Sequence, residues 1–81
     1  MYHLCAQSVA DGYQYTVTDD RGRVLDVRTT PRIYKGAVVA LSEMSDRASV
    51  FSWHATREAA QSAAATLRRK RPEILVDAAT T

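Results

Sequence analysis

The groups best able to do chemistry near neutral pH are few: one thiol, Cys5, and two imidazoles, His3 and His54. His3 and Cys5 stand two residues apart, so on an extended strand they share a face, and His54 is the one further imidazole that could join them. Zinc ordinarily takes four ligands, and the paired-cysteine spacing of a structural site is missing, so no metal is expected. The plainer expectation is a small buried thiol beside a surface imidazole. Ser52, His54 and Asp46 have the composition of a hydrolase triad, but neither a nucleophile elbow nor an oxyanion loop accompanies them. Gly12, Gly22 and Gly36 are isolated, each explained by a turn or a bulge, so no phosphate loop is present. Neither catalysis nor a cofactor is expected.

Charged side chains carry the richer signal. Arg68-Arg69-Lys70-Arg71 follows an Ala-rich stretch. Cations there complement a helix dipole and can bond its last carbonyls, yet four in a row exceed what capping requires. Beyond capping, they would meet phosphates or an acidic protein surface. A second group, Arg21, Arg23, Arg28, Arg32 and Lys35, runs beside Tyr13, Tyr15 and Tyr34. Arginine with tyrosine is the composition of binding hot spots and of surfaces that stack unpaired bases. Against a uniform nucleic-acid face, Asp19, Asp20 and Asp26 lie among these arginines and can neutralise several of them. Trp53 reads as a core anchor against the alanine face of the helix.

The elements that must position these groups follow from period and punctuation. Tyr2 to Val9 reads as a first strand closed by Ala10-Asp11-Gly12. Tyr13 to Thr18 alternates, with Tyr13, Tyr15 and Val17 on one face, and Asp19-Asp20-Arg21-Gly22 is turn chemistry leading into a strand from Arg23 to Arg28. Pro31 breaks the pattern. Ile33 to Leu41 is an apolar run with Gly36 inside it, which suits a bulge or a close backbone approach. After the polar loop Ser42 to Arg47, Ser49 to His54 alternates as a fifth strand. The spacing of Ala60, Ala63, Ala64 and Leu67 predicts a helix from Arg57 to Lys70, with Thr56 as N-cap and Glu58 at the positive end of its dipole. Pro72 ends it, and Glu73-Ile74-Leu75-Val76 supplies a short last strand before a frayed tail.

The whole is an α+β chain: a small antiparallel sheet of five to six short strands packed against one main C-terminal helix. It forms one domain over residues 1–77, with 78–81 as the tail. Of its 81 residues, thirteen are Ala, so the 46% apolar content overstates the core. A domain this small gains stability from a second copy or a bound partner. Five or six strands also leave a sheet edge to protect or to use, and edge pairing is an inexpensive route to a homodimer. One cysteine makes no internal disulfide, no run approaches the roughly 20 apolar residues of a membrane span, and no leader pattern is seen, so a cytoplasmic protein is expected.

Three stretches carry a resemblance: Tyr15-Thr16-Val17-Thr18-Asp19-Asp20-Arg21-Gly22-Arg23-Val24-Leu25, then Arg32-Ile33-Tyr34-Lys35-Gly36-Ala37-Val38-Val39, then Ser52-Trp53-His54 before an Ala-rich helix. The chain resembles small phage- and prophage-encoded proteins of the anti-CRISPR type. These are single domains of this size that inhibit by occupying a surface of a CRISPR effector complex. The resemblance implies a stoichiometric inhibitor in a bacterial cytoplasm. Anti-CRISPR families share no common signature, so no site residue is carried over. The basic balance departs from the acidic, DNA-mimicking subset. The residues expected to hold a protein or ribonucleoprotein partner are Arg32, Tyr34, Lys35, Arg68, Arg69, Lys70 and Arg71. The alternative is a small nucleic-acid-binding regulator using the same cations.

Overall fold

The computed structural model describes residues 1–42 and 47–81. Asp46 of the hydrolase set, and most of the Ser42 to Arg47 loop, lie outside these. The elements are β1 (His3–Val9), β2 (Gly12–Thr18), β3 (Val24–Thr30), β4 (Gly36–Leu41), β5 (Ser49–His54), α1 (Arg57–Lys70) and β6 (Leu75–Thr80). They form one six-stranded sheet in the order β3-β2-β1-β6-β4-β5 with a single helix, an α+β fold. Among the described residues no helix is long and apolar enough to cross a membrane.

Four of the five strand junctions are antiparallel, as expected, and the fifth, β1 with β6, is parallel and reduced to one pair, His3 with Thr80. The sheet is therefore two antiparallel three-stranded halves, staggered so that β1 runs on past the end of β6. The stagger draws the molecule out to 40 × 24 × 16 Å. The halves curl toward each other until β3 and β5 come into contact across the concave side.

Strand alternation assigns the two faces. Leu4, Tyr15, Val17, Ala37, Val39 and Ala79 fill the concave side, with Tyr13, Leu25, Tyr34 and Trp53 packed around them. Val38 and Val76 face the helix and meet Ala64, with Ala63 and Leu67 alongside. Burying a Val or Tyr of this kind stabilises by about 1.5–3 kcal/mol, so these few residues carry most of the apolar gain. Trp53 corrects an expectation: it pairs with Ala37 on β5–β4 and so lies on the concave side, across the sheet from the alanine stripe.

The helix starts and stops where its signals stand. Thr56 accepts from the Ala59 N–H at 3.0 Å, and Arg71 closes the other end by donating to the Leu67 carbonyl. Gly36 explains the close packing, since a Cβ there would stand 2.5 Å from the Ala60 Cβ. The bulge lies on the neighbouring strand, where Phe51 of β5 is the extra residue opposite Val38 and Val39.

The carboxyl end departs from expectation. Residues 78–81 are no frayed tail, and the last strand is Leu75–Thr80 rather than Glu73 to Val76. β6 is an inner strand between β1 and β4, and Ala79 is 0% exposed. An inner strand pressed by core on one face and a helix on the other has room only for small residues, so Ala78 and Ala79 belong there despite weak strand propensity. Cys5 also differs: it is exposed, because the helix covers only the β6-β4-β5 half and leaves the convex side of β1 open.

Candidate binding surface

The loop between β3 and β4 carries Arg32, Tyr34 and Lys35 and crosses the concave side. Its course is fixed from below. The Tyr15 hydroxyl, on a residue 1% exposed, donates to the Arg32 carbonyl at 2.8 Å and accepts from the Tyr34 N–H at 2.9 Å. The Lys35 N–H donates to the His54 carbonyl, and the Arg32 N–H to Thr30 Oγ1. Gly12 permits the crossing: with φ at 147°, it leaves the space a Cβ would occupy to the Thr30 carbonyl and Pro31.

Above this backbone sits an aromatic cluster. Tyr15 and Tyr34 meet edge-on at 5.4 Å between centroids, and Trp53 stands 5.8 Å from Tyr34. Arg28 of β3, in register with Tyr15, lays its guanidinium 5.5 Å from the Tyr34 ring and 5.9 Å from the Trp53 ring. The guanidinium thus bridges the two edges of the curled sheet by cation–π attraction. Sequence reasoning placed Arg28 in the basic group but left it out of the binding set. The signal that could find it is the cross-strand pairing of Arg28 with Tyr15, which depends on the β2–β3 register.

The acids neutralise the hairpin only in part. Asp19 organises the β2–β3 turn: Oδ1 accepts from the Arg21 and Arg23 N–H groups and Oδ2 from Arg23 Nε, all at 2.9 Å. Burial works to raise the Asp19 carboxyl, but the Arg23 N–H and guanidinium and the Arg21 N–H outweigh it, and the net pKa falls below the ordinary aspartate value. Asp20 stands 3.7 Å from His3, and Asp26 accepts from the Val27 N–H. Among the described residues no carboxylate stands within 4.0 Å of Arg21, Arg28, Arg32 or Lys35.

The second cationic group is divided by its own contacts. Arg68 Nε donates to the Val76 carbonyl at 2.9 Å, with its guanidinium 3.6 Å from Asp77, so it ties the helix to β6. Arg71 pairs with Glu73, whose carboxyl is held low first by that side-chain hydrogen bond. Arg69 reaches Thr66, and Lys70 borders an apolar groove of about 500 Å3 beneath Phe51 and Leu67. Gly36 packs at the start of the helix and Arg68 to Arg71 lie at its end, so a 14-residue helix, roughly 20 Å long, separates the two groups. The structure does not gather the seven expected residues into one patch.

The chemical sets are likewise apart or incomplete. His3, Thr80, Gly36 and His54 lie in one row across β1, β6, β4 and β5. Three strand spacings, roughly 14 Å, therefore divide the His3–Cys5 pair from His54, too far for one metal ion. Ser52 Oγ and His54 Nε2 do meet, at 2.7 Å. They point from a regular strand, with Ser52 opposite Val38 over the helix layer, and neither side chain lines the Phe51 groove or the cleft of about 510 Å3 between Leu25 and Leu41. No protein-family model matches this chain, and no curated protein or solved structure matches it either.

Proposed function

We propose that this chain acts by stoichiometric binding, as an inhibitor of the anti-CRISPR type that occupies an anionic surface of a CRISPR effector complex in a bacterial cytoplasm. The observation that supports this reading is the held loop of residues 31–35, where Arg32 and Lys35 are exposed on a backbone clamped by Tyr15. A loop fixed before docking loses little conformational entropy on binding, so charge-assisted bonds from these cations to phosphate or carboxylate are retained as affinity. Tyr34 adds contact area beside them. Arg69 and Lys70 form a secondary contact at the far end of the helix, whereas Arg68 and Arg71 are committed within the fold. Co-elution of the purified protein with isolated effector complexes tests the reading. A stable complex with at least one type is expected, and failure with every type tried counts against it.

A second reading, a small nucleic-acid-binding regulator, draws on Arg28 over Tyr34 and Trp53, an arrangement on which an unpaired base can stack. It requires affinity that falls steeply with salt as counterions are released. Gel shifts at two ionic strengths with single- and double-stranded probes separate the readings.

A further inference from the structure

Sheets protect their open edges with charges, bulges or cover, because a row of unpaired N–H and C=O groups invites another strand. Two of the edges here follow that practice. β3 carries Asp26 and Arg28, with a register shift opposite Val17 and Thr18, and β5 carries a bulge at Phe51, opposite Val38 and Val39. β1 does not. It joins β6 only at His3, so from Leu4 to Val9 its side away from β2 has no strand beside it. Cys5 through Val9 are all exposed, Leu4 through Val9 bear no charge, and the β1–β2 register is unbroken over seven pairs.

The register also shows which backbone groups face outward. Val9 and Gly12 close the two-residue turn Ala10-Asp11, so they exchange their hydrogen bonds, as do the odd-numbered residues before Val9. Ala6 and Ser8 therefore direct their N–H and C=O groups to the open side. We infer that this edge is a self-association surface, on which β1 of a second copy pairs antiparallel about a two-fold axis at Gln7.

In that register Ala6 of each copy faces Ser8 of the other, so one patch satisfies itself, as a two-fold interface must. Thr80 already sits beside His3, so the seam runs from Cys5 facing Val9 of the mate to Val9 facing Cys5, a stretch without charge in either copy, and no like charges oppose one another across it. The joined halves give a continuous six-stranded sheet of β3-β2-β1 and its symmetry copy, and carry two Arg32–Lys35 loops. The inference stands independently of what those loops bind.

The sole cysteine supplies a direct test on the full chain. With Cys5 spin-labelled, pairing about Gln7 offsets the two Cys5 residues by four positions, placing their Cα atoms roughly 14 Å apart. Strong dipolar coupling is expected, together with a dimer mass by sedimentation at high protein concentration. Ala6→Lys and Ser8→Pro both act on the open side, the proline removing an N–H that β2 does not use. Each is expected to weaken association at least about tenfold while the melting temperature is kept. A monomer at millimolar concentration overturns the inference. So does a dimer that survives both changes but is lost on Phe51→Glu, which would place the joint at the groove between β5 and α1.

Discussion

The Tyr15 hydroxyl donates to the Arg32 carbonyl at 2.8 Å, and through the same oxygen it holds the Tyr34 N–H. One buried side chain therefore fixes the backbone on both sides of Ile33. Tyr15→Phe keeps the ring in its aromatic neighbours and removes only the oxygen, leaving a carbonyl and an N–H of the loop without their partner. The expected cost is about 1–3 kcal/mol in urea unfolding. Amide exchange at Tyr34 should accelerate, and partner affinity should drop although no contact residue is changed.

Gly36→Ala tests the seam between sheet and helix. The new Cβ would meet that of Ala60 at 2.5 Å, so the helix must shift, at a cost of about 1–3 kcal/mol. Ala60→Gly alone costs roughly 1 kcal/mol through helix propensity. Combined with Gly36→Ala it should cost less than the sum of the two, a coupling that equilibrium denaturation of the four proteins in the cycle measures.

The helix and the fifth strand were legible in the sequence because their signals are local: a cap at Thr56, a 3.6-residue alanine stripe, and alternation from Ser49 to His54. Gly36 was legible as either a bulge or a close approach, and only the packing against Ala60 decides between them. What escaped were consequences of tertiary position. Asp77 to Thr80 looks unlike a strand until β6 is known to lie between core and helix, where only small residues fit. The side taken by Trp53 depends on strand pairing, as does the seating of Arg28 over the rings. The basic residues were identifiable, but their division into structural and available cations was not. Nothing in the composition of Arg68 to Arg71 says that Arg68 reaches a carbonyl on the following strand.

That division is itself testable. Arg68→Ala removes the bond to the Val76 carbonyl and should lower stability by roughly 1 kcal/mol. Arg69→Ala and Lys70→Ala, which lack such a tie to β6, should stay within about 0.5 kcal/mol of wild type. Thermal melts of the three variants decide it; equal losses would mean that Arg68 has no special structural part.

Asp19 sets a pH dependence. Burial works to raise its folded pKa, but the hydrogen bonds and charge of Arg23 and the Arg21 N–H outweigh it, and the net value lies below the ordinary one. The stability it contributes is therefore full above the unfolded aspartate value, near about pH 4, and is lost as pH falls through the folded value. Wild type should lose stability on acidification below that point. Asp19→Asn should be less stable at pH 7 and show a shallower acid slope in urea midpoints taken from neutral to strongly acidic solution.

Binding through the Arg32–Lys35 loop is most directly tested by calorimetric titration of an effector complex with wild type and with the double charge reversal Arg32→Glu/Lys35→Glu. Saturable binding by wild type is predicted, with loss of detectable heat for the reversed protein at an unchanged melting temperature. Equal affinity of the two proteins would contradict it, as would substrate turnover by the wild type that disappears on His54→Ala.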